Sequence, residues 1–130
     1  HPRFSLSNNI LSSAKKSIAT TSIYSAQEDI SLELMDISLK YITENVQNNQ
    51  GIDKNEYIDK QLSSNEVMEK INSSLKKYNV TATYDKNIGI TLTSDNSKSS
   101  CIGRLDNGKI VWGEIKAKID ENDPDVKYAW

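Results

Sequence analysis

Residues 2–48 read PRFSLSNNILSSAKKSIATTSIYSAQEDISLELMDISLKYITENVQN. After Pro2 this stretch contains no proline and no glycine. Those residues cost a helix interior roughly 3 and 1 kcal/mol respectively, so their absence allows a single continuous helix. We therefore assign residues 1–48 to one long helix, and the rest of the chain is interpreted from the surfaces that this helix has to bury.

The apolar residues of this predicted helix fall on two faces. Turning the chain through about 100° per residue gives a first stripe with the spacing of a core-facing surface. This first stripe consists of Ile23, Ala26, Ile30, Leu34, Ile37 and Tyr41. A second stripe, lying about 150° away on the same helix, consists of Leu32, Met35, Leu39, Ile42 and Val46. A surface helix ordinarily has one apolar stripe, so two stripes predict cover from two directions.

The sequence leaves open what covers the second stripe. Either the connecting segment at residues 51–78 folds over it, or neighbouring copies cover it in an assembly. Exposed apolar patches on monomers are usually small, which favours a combination of the two. The N-terminal part of the helix has little domain left to pack against. We therefore predict an assembly surface there, formed by Phe4, Ile10, Leu11, Ala14 and Ile18.

After the helix, residues 49–78 are predicted to form a connecting segment. The helix is stopped by the polar sequence QNNQG at residues 47–51. Residues 52–62 mix charged and apolar side chains and predict no more than a helical turn. Ser63 and Glu66 then have the spacing of a capping box, which predicts a short helix that ends near Lys77.

Residues 79–119 are predicted to form a sheet, because the apolar period changes to two at Val80. The alternation predicts strands at residues 80–84, 88–92, 101–105 and 109–115. Asn107-Gly108 joins the last two strands, and this dipeptide favours a type I′ hairpin turn. Four strands joined by short loops predict an antiparallel meander. The fold class is therefore α+β, with the long helix packed on a four-stranded antiparallel meander sheet and a short second helix in the connecting segment.

The composition bounds the class of protein. A chain of 130 residues is long enough for a single domain with a modest core. Its net charge of −2 gives no support for a nucleic-acid surface, so no nucleic-acid partner is expected. No apolar run reaches the 18 residues that a membrane-spanning helix needs. Cys101 is the single cysteine, so no internal disulfide can form, and we interpret it as a small buried hydrophobe.

The sequence predicts no catalytic, cofactor-binding or metal-binding residue. His1 is the only histidine, so Ser-His-Asp and Cys-His arrangements are unsupported. The five glycines are scattered and form no phosphate-binding loop. The acidic tail at residues 120–130 has oxygen ligands but lacks a calcium-loop spacing, so we interpret it as a solvated loop. The polar side of the long helix is likewise interpreted as a solvated face; it consists of Asp29, Glu33, Asp36, Lys40 and Glu44. We therefore expect a protein that is not an enzyme.

Pro2-Arg3-Phe4 at the start of a long helix, followed by a connecting segment and a four-strand meander, resembles the type IV pilin family, including the pseudopilins. The resemblance implies that residues 1–130 are the soluble domain and that the helix continues upstream as a membrane-spanning half. Many Gram-negative pilins close their C-terminal region with a disulfide, which a lone Cys101 cannot form. That difference favours a pseudopilin or a pilin of a Gram-positive bacterium.

This resemblance implies a structural function. The expected protein is a major or minor pilin, or a pseudopilin, that polymerises through its N-terminal helix into an extracellular, cell-surface filament of identical or related subunits. Before assembly, the upstream segment would anchor it in the inner membrane. The alternative hypothesis is a small secreted α+β binding or inhibitory module with no filament role, in which both helix stripes are buried internally.

Overall fold

The computed structural model describes residues 2–48 and 51–116, with side chains described from Ile18 onward within these ranges. The helices are α1 (Pro2–Asn48), α2 (Lys54–Leu62) and α3 (Asn65–Leu75), and a 3₁₀ turn follows at Lys76–Tyr78. The strands are β1 (Val80–Asp85), β2 (Gly89–Ser94), β3 (Ser100–Asp106) and β4 (Lys109–Trp112). The predicted α+β class, with one long helix and a four-stranded antiparallel sheet, is confirmed.

The sheet is the predicted meander, because its strands pair antiparallel in the order β1-β2-β3-β4. Asn107 and Gly108 both have positive φ, at 53° and 84°, as a type I′ turn requires. Strand β4 is shorter than predicted and ends at Trp112. Beyond Trp112 the chain still runs beside β3, because the Gly113 N–H donates to the Ile102 carbonyl and Lys116 forms a bridge with Ser100. Between these two contacts the chain after β4 has one residue more than β3. Such an extra residue is a β-bulge, which ends the regular ladder.

The core lies between the first stripe of α1 and the inner face of the sheet. Every residue of the stripe from Ile23 to Ile37 is at most 5% exposed, and Tyr41 is half-buried. The sheet contributes alternate residues, as the period of two predicts. Its buried apolar residues are Val80, Ala82, Ile90, Leu92 and Cys101. The first stripe is therefore the core-facing surface of the helix, as its spacing predicts.

The connecting segment contains two helices, so the expectation of no more than a turn before Leu62 is wrong. Helix α2 begins where the carboxylate of Asp53 accepts a hydrogen bond from the Glu56 backbone N–H at 3.2 Å. It buries Tyr57, Ile58 and Leu62 in the core. This burial stabilises a helix that its mixed sequence alone does not indicate.

The capping box predicted at Ser63 and Glu66 is also wrong. Ser63 is the C-cap of α2, and Ser64 is the N-cap of α3 without a side-chain bond. The start of α3 is displaced by one residue, from Ser63 to Ser64, for a simple reason. Because α2 continues to Leu62 in order to bury that side chain, only two serines remain to link the helices.

Candidate assembly surface

The second stripe of α1 is exposed. Leu32, Met35 and Leu39 are each 63% exposed, Ile42 is 53% exposed and Val46 is 75% exposed. Five large apolar side chains in one row exceed the scattered exposure that is normal for a monomer. Of the two coverings considered from the sequence, the one in which the connecting segment folds over this stripe is therefore wrong.

Contacts on the polar flank of α1 explain why the connecting segment lies elsewhere. Asp29 accepts hydrogen bonds from Ser74 at 3.0 Å and Tyr78 at 3.3 Å, and it pairs with Lys77 at 3.4 Å. The negative charge of Asp29 raises the pKa of Lys77 above the ordinary lysine value. This cluster holds the end of α3 and the 3₁₀ turn against the polar side of α1 and not over the second stripe.

Two further contacts hold the connecting segment against α1. Lys70 of α3 lies 3.1 Å from Glu33, and hydrogen bonding to that carboxylate raises the pKa of Lys70. Near the end of α1, the hydroxyl of Tyr41 donates to the carbonyl of Ile52 at 2.6 Å. The interpretation of the polar side as a solvated face is therefore wrong for Asp29 and Glu33. Their carboxylates are drawn into contacts because α3 presents lysines and hydroxyls to them.

The two stripes also differ in period. The first repeats every eleven residues: Ile23 is eleven residues before Leu34, and Ile30 is eleven before Tyr41. An eleven-residue repeat corresponds to about 3.7 residues per turn, which is close to the period of about 3.6 of an α-helix. The second stripe has spacings of three, four, three and four residues, with Leu32, Leu39 and Val46 seven residues apart. A period of 3.5 is the pattern of helices that pack along one another in a coiled coil.

The structure describes one of the five predicted assembly residues. Ile18 is 65% exposed, in agreement with a surface position. The side chains of Phe4, Ile10, Leu11 and Ala14 lie outside the described residues, although helix α1 carries their positions. Phe4, Leu11 and Ile18 fall at the same seven-residue positions as Leu32 and Leu39. The assembly surface predicted at these five residues therefore stays a prediction, and the seven-residue spacing is the signal that would extend it to the second stripe.

A shallow groove borders the second stripe where α1 passes the end of β4. Its volume is about 590 Å³. It is lined by Tyr24, Gln27, Glu28, Ser31, Leu32 and Trp112. Tyr24 is 56% exposed and Leu32 belongs to the second stripe, so the groove continues the apolar surface towards the sheet. Tyrosine and tryptophan are enriched in protein–protein interfaces relative to the rest of a protein surface.

Two features with chemical potential, metal-ligand groups and the single thiol, can be assessed in the described residues. Within residues 2–48 and 51–116, no group of three or more His, Cys, Asp or Glu side chains could hold a metal ion. Cys101 is 3% exposed, as its interpretation as a buried hydrophobe requires, and burial raises the pKa of its thiol. A protonated buried thiol is a poor nucleophile. The acidic tail, which the sequence predicts to be a solvated loop, lies outside the described residues.

Sequence reasoning missed two polar contacts that hold the domain together. The hydroxyl of Tyr84 donates to Asp59 of α2 at 2.5 Å, and burial with this bond raises the pKa of Tyr84. The side chain of Asn72 bonds to both the N–H and the carbonyl of Ala82 in β1. No local pattern could have indicated either pair, because each joins separate elements.

Comparison of the chain with known protein families, with curated proteins and with solved structures found no match. In the part of the chain that the structure describes, no helix is both long and apolar enough to cross a membrane.

Proposed function

We propose that this chain is a structural subunit of a type IV pilus-like filament, a pilin or pseudopilin that acts by polymerisation and not as an enzyme. The observation that carries the proposal is the exposed second stripe on a 47-residue helix whose opposite stripe is buried in the domain. One helix face is thus used within the subunit, and the other is available for neighbours.

This division of the helix suits an open assembly. A contact between copies that does not close on itself repeats as a helical filament. The helix would lie towards the filament axis, and the sheet domain would form the outer surface. In this proposal the subunit is held in the inner membrane by an upstream segment before assembly, and the filament is displayed at the cell surface.

The full reading frame gives the first test. We expect a leader followed by an apolar segment of about 20 residues upstream of Pro2, which is the length needed to cross a bilayer. An ordinary signal peptide with a small-residue cleavage site would instead support a secreted binding module.

The second test is assembly of the full-length product. Expression in a bacterium with a matching assembly system should yield filaments that can be sheared from the cells and seen by electron microscopy. Replacing Leu39 by glutamate should reduce the sheared fraction strongly, because a charge cannot be buried against an apolar neighbour. Lys40→Glu is the matched control, since its side chain is 58% exposed on the polar flank. Equal loss in both variants, or filaments unaffected by Leu39→Glu, would contradict the proposed use of this stripe.

A further inference from the structure

The Asn107-Gly108 dipeptide at the tip of the β3–β4 hairpin carries a chemical reactivity that the fold restrains. It is the single Asn-Gly pair in the sequence. An asparagine followed by glycine loses its side-chain amide readily, because no Cβ on the glycine hinders attack by the glycine nitrogen. We infer that Asn107 is a site of deamidation and that the side chain of Asn55 in α2 holds it in the unreacted state.

The reaction needs water and no other co-reactant. The Gly108 nitrogen loses its proton and forms a bond to Cγ of Asn107, the bond from Cγ to Nδ2 breaks, and ammonia leaves. Water then opens the resulting succinimide ring at one of its two carbonyl groups. Opening at Cγ gives aspartate, and opening at the main-chain carbonyl gives isoaspartate, in which the chain runs through Cγ. Either product places a new carboxylate at position 107.

The nitrogen that has to attack is engaged by a neighbouring element. The Gly108 N–H donates a hydrogen bond to Oδ1 of Asn55 at 2.8 Å. A backbone amide has one proton to donate, so this bond has to break before the proton can be removed. If the proton left while the contact persisted, the negative nitrogen would face the carbonyl oxygen of Asn55. The contact therefore disfavours the nucleophilic form of Gly108.

The conformation of the turn opposes the reaction as well. Asn107 and Gly108 have φ of 53° and 84°, and the succinimide ring can close only after Asn107 rotates out of this type I′ turn. Gly108 is buried although Asn107 is exposed. A Cβ on Gly108 would lie 2.6 Å from Cε of Lys54, so the Lys54 side chain covers the glycine. The bond from Asn55 stabilises this closed and covered turn.

The charge of Lys54 acts in the opposite direction to Asn55. Its ammonium nitrogen lies beside the same glycine, only 3.0 Å from where a Cβ would be. A nearby positive charge favours the loss of a proton from a neighbouring group. Lys54 therefore adds to the reactivity of the exposed turn, and the hydrogen bond to Asn55 is the contact that opposes it.

The two products should affect the hairpin differently. Aspartate tolerates the left-handed conformation that Asn107 adopts, so this product leaves the turn in place. Isoaspartate inserts an additional backbone carbon into a two-residue turn that pairs Asp106 with Lys109. Strand β4 has four residues and lies at the edge of the sheet. We therefore expect isoaspartate to weaken the pairing of β4 with β3, whereas Asn55 preserves it.

Timed incubation of the 130-residue chain in warm, mildly alkaline buffer tests the inference. Peptide mass spectrometry measures the conversion of each asparagine, and labelling by an isoaspartyl methyltransferase identifies isoaspartate. Asn96-Ser97 is an internal reference, because Asn96 is exposed in the loop between β2 and β3. The chain unfolded in urea gives the intrinsic ratio of Asn107 to Asn96 conversion. We expect the folded chain to show a ratio at least several-fold lower.

Two substitutions of nearly equal size isolate the acceptor. Asn55→Leu removes it and should raise the ratio in the folded chain about tenfold, the factor that corresponds to one lost hydrogen bond. Asn55→Asp keeps an oxygen that can accept from Gly108 and should retain the parent ratio. Lys54→Met keeps the cover over Gly108 without the charge and should not raise the ratio.

A destabilised variant distinguishes local protection from global stability. Asn72→Ala removes the contact with Ala82 in β1 and leaves the β3–β4 turn untouched, so its ratio should stay close to that of the parent. An equal rise in Asn72→Ala and Asn55→Leu would overturn the inference. So would an unchanged ratio in Asn55→Leu, or a rise in Asn55→Asp as large as that in Asn55→Leu. A folded parent chain with the ratio of the unfolded chain would show that the turn is not protected at all.

Discussion

At the scale of single residues, the hydroxyl of Tyr84 is the contact that ties α2 to the sheet. It donates to a carboxylate oxygen of Asp59, and burial together with this bond raises the pKa of Tyr84 well above 10. The folded state therefore retains a proton that the unfolded chain loses near pH 10. The contribution of Tyr84 to the free energy of unfolding is therefore complete below about pH 10 and is lost progressively as the pH rises above it.

We therefore expect the free energy of unfolding to fall above pH 10, by at most about 1.4 kcal/mol per pH unit from this residue. Tyr84→Phe should remove that part of the slope. It should also lower stability by about 1–3 kcal/mol at neutral pH, because Asp59 loses its partner. Urea unfolding at pH 8, 10 and 11 measures both effects. An unchanged slope in Tyr84→Phe would show that other groups with raised pKa, such as Lys77, account for it.

A second residue-scale contact protects an open edge of the sheet. The amide of Asn72 accepts from the Ala82 N–H at 2.8 Å and donates to its carbonyl at 3.0 Å, as a neighbouring strand would. Asn72→Ala should cost about 1–3 kcal/mol of unfolding free energy, because it leaves a backbone pair unpartnered. It should also raise aggregation, since an unpaired strand edge is a template for other chains. Urea unfolding and light scattering measure these effects. Ser73→Ala, at an exposed position, is the control that should change neither.

At the scale of elements, the two stripes of α1 should respond differently to truncation. Ile30 is 1% exposed and Leu39 is 63% exposed, although both positions lie away from the ends of the same helix. We expect Ile30→Ala to lower the free energy of unfolding by about 2–5 kcal/mol, through lost burial and a cavity. Leu39→Ala should change it by less than about 0.5 kcal/mol in dilute solution. Comparable losses in urea unfolding would mean that the second stripe is buried within the subunit.

The same helix shows how far local patterns predict the fold. The first stripe, the strands and the Asn107-Gly108 turn could be predicted because each depends on the period or chemistry of neighbouring residues. Helix α2 was not predicted, because Ile58 and Leu62 form a single i, i+4 pair, and one such pair does not establish a helical stripe. The exposure of the second stripe could not be predicted either. It depends on Asp29 meeting Ser74 and Tyr78, which lie 45 and 49 residues away in the chain.

At the scale of the whole molecule, Cys101 is a natural probe of whether the domain unfolds as one unit. It lies on β3 in the core, and the amide of Gln27 on α1 donates to its sulfur at 3.4 Å. A reagent can reach this thiol only when the sheet separates from the first stripe. Separating the sheet from the first stripe removes most of the apolar contacts of both surfaces. Exposure of the thiol should therefore coincide with global unfolding.

Thiol labelling in native buffer should therefore be slow and should follow the free energy of unfolding. When refolding outpaces labelling, each loss of about 1.4 kcal/mol should raise the labelling rate tenfold. Ile30→Ala should accordingly label at least ten times faster than the parent chain, and Leu39→Ala at nearly the parent rate. Labelling as fast as that of a free cysteine, or indifferent to Ile30→Ala, would mean that the sheet opens from α1 without global unfolding. In that case α1 and the sheet would not unfold together as one cooperative domain.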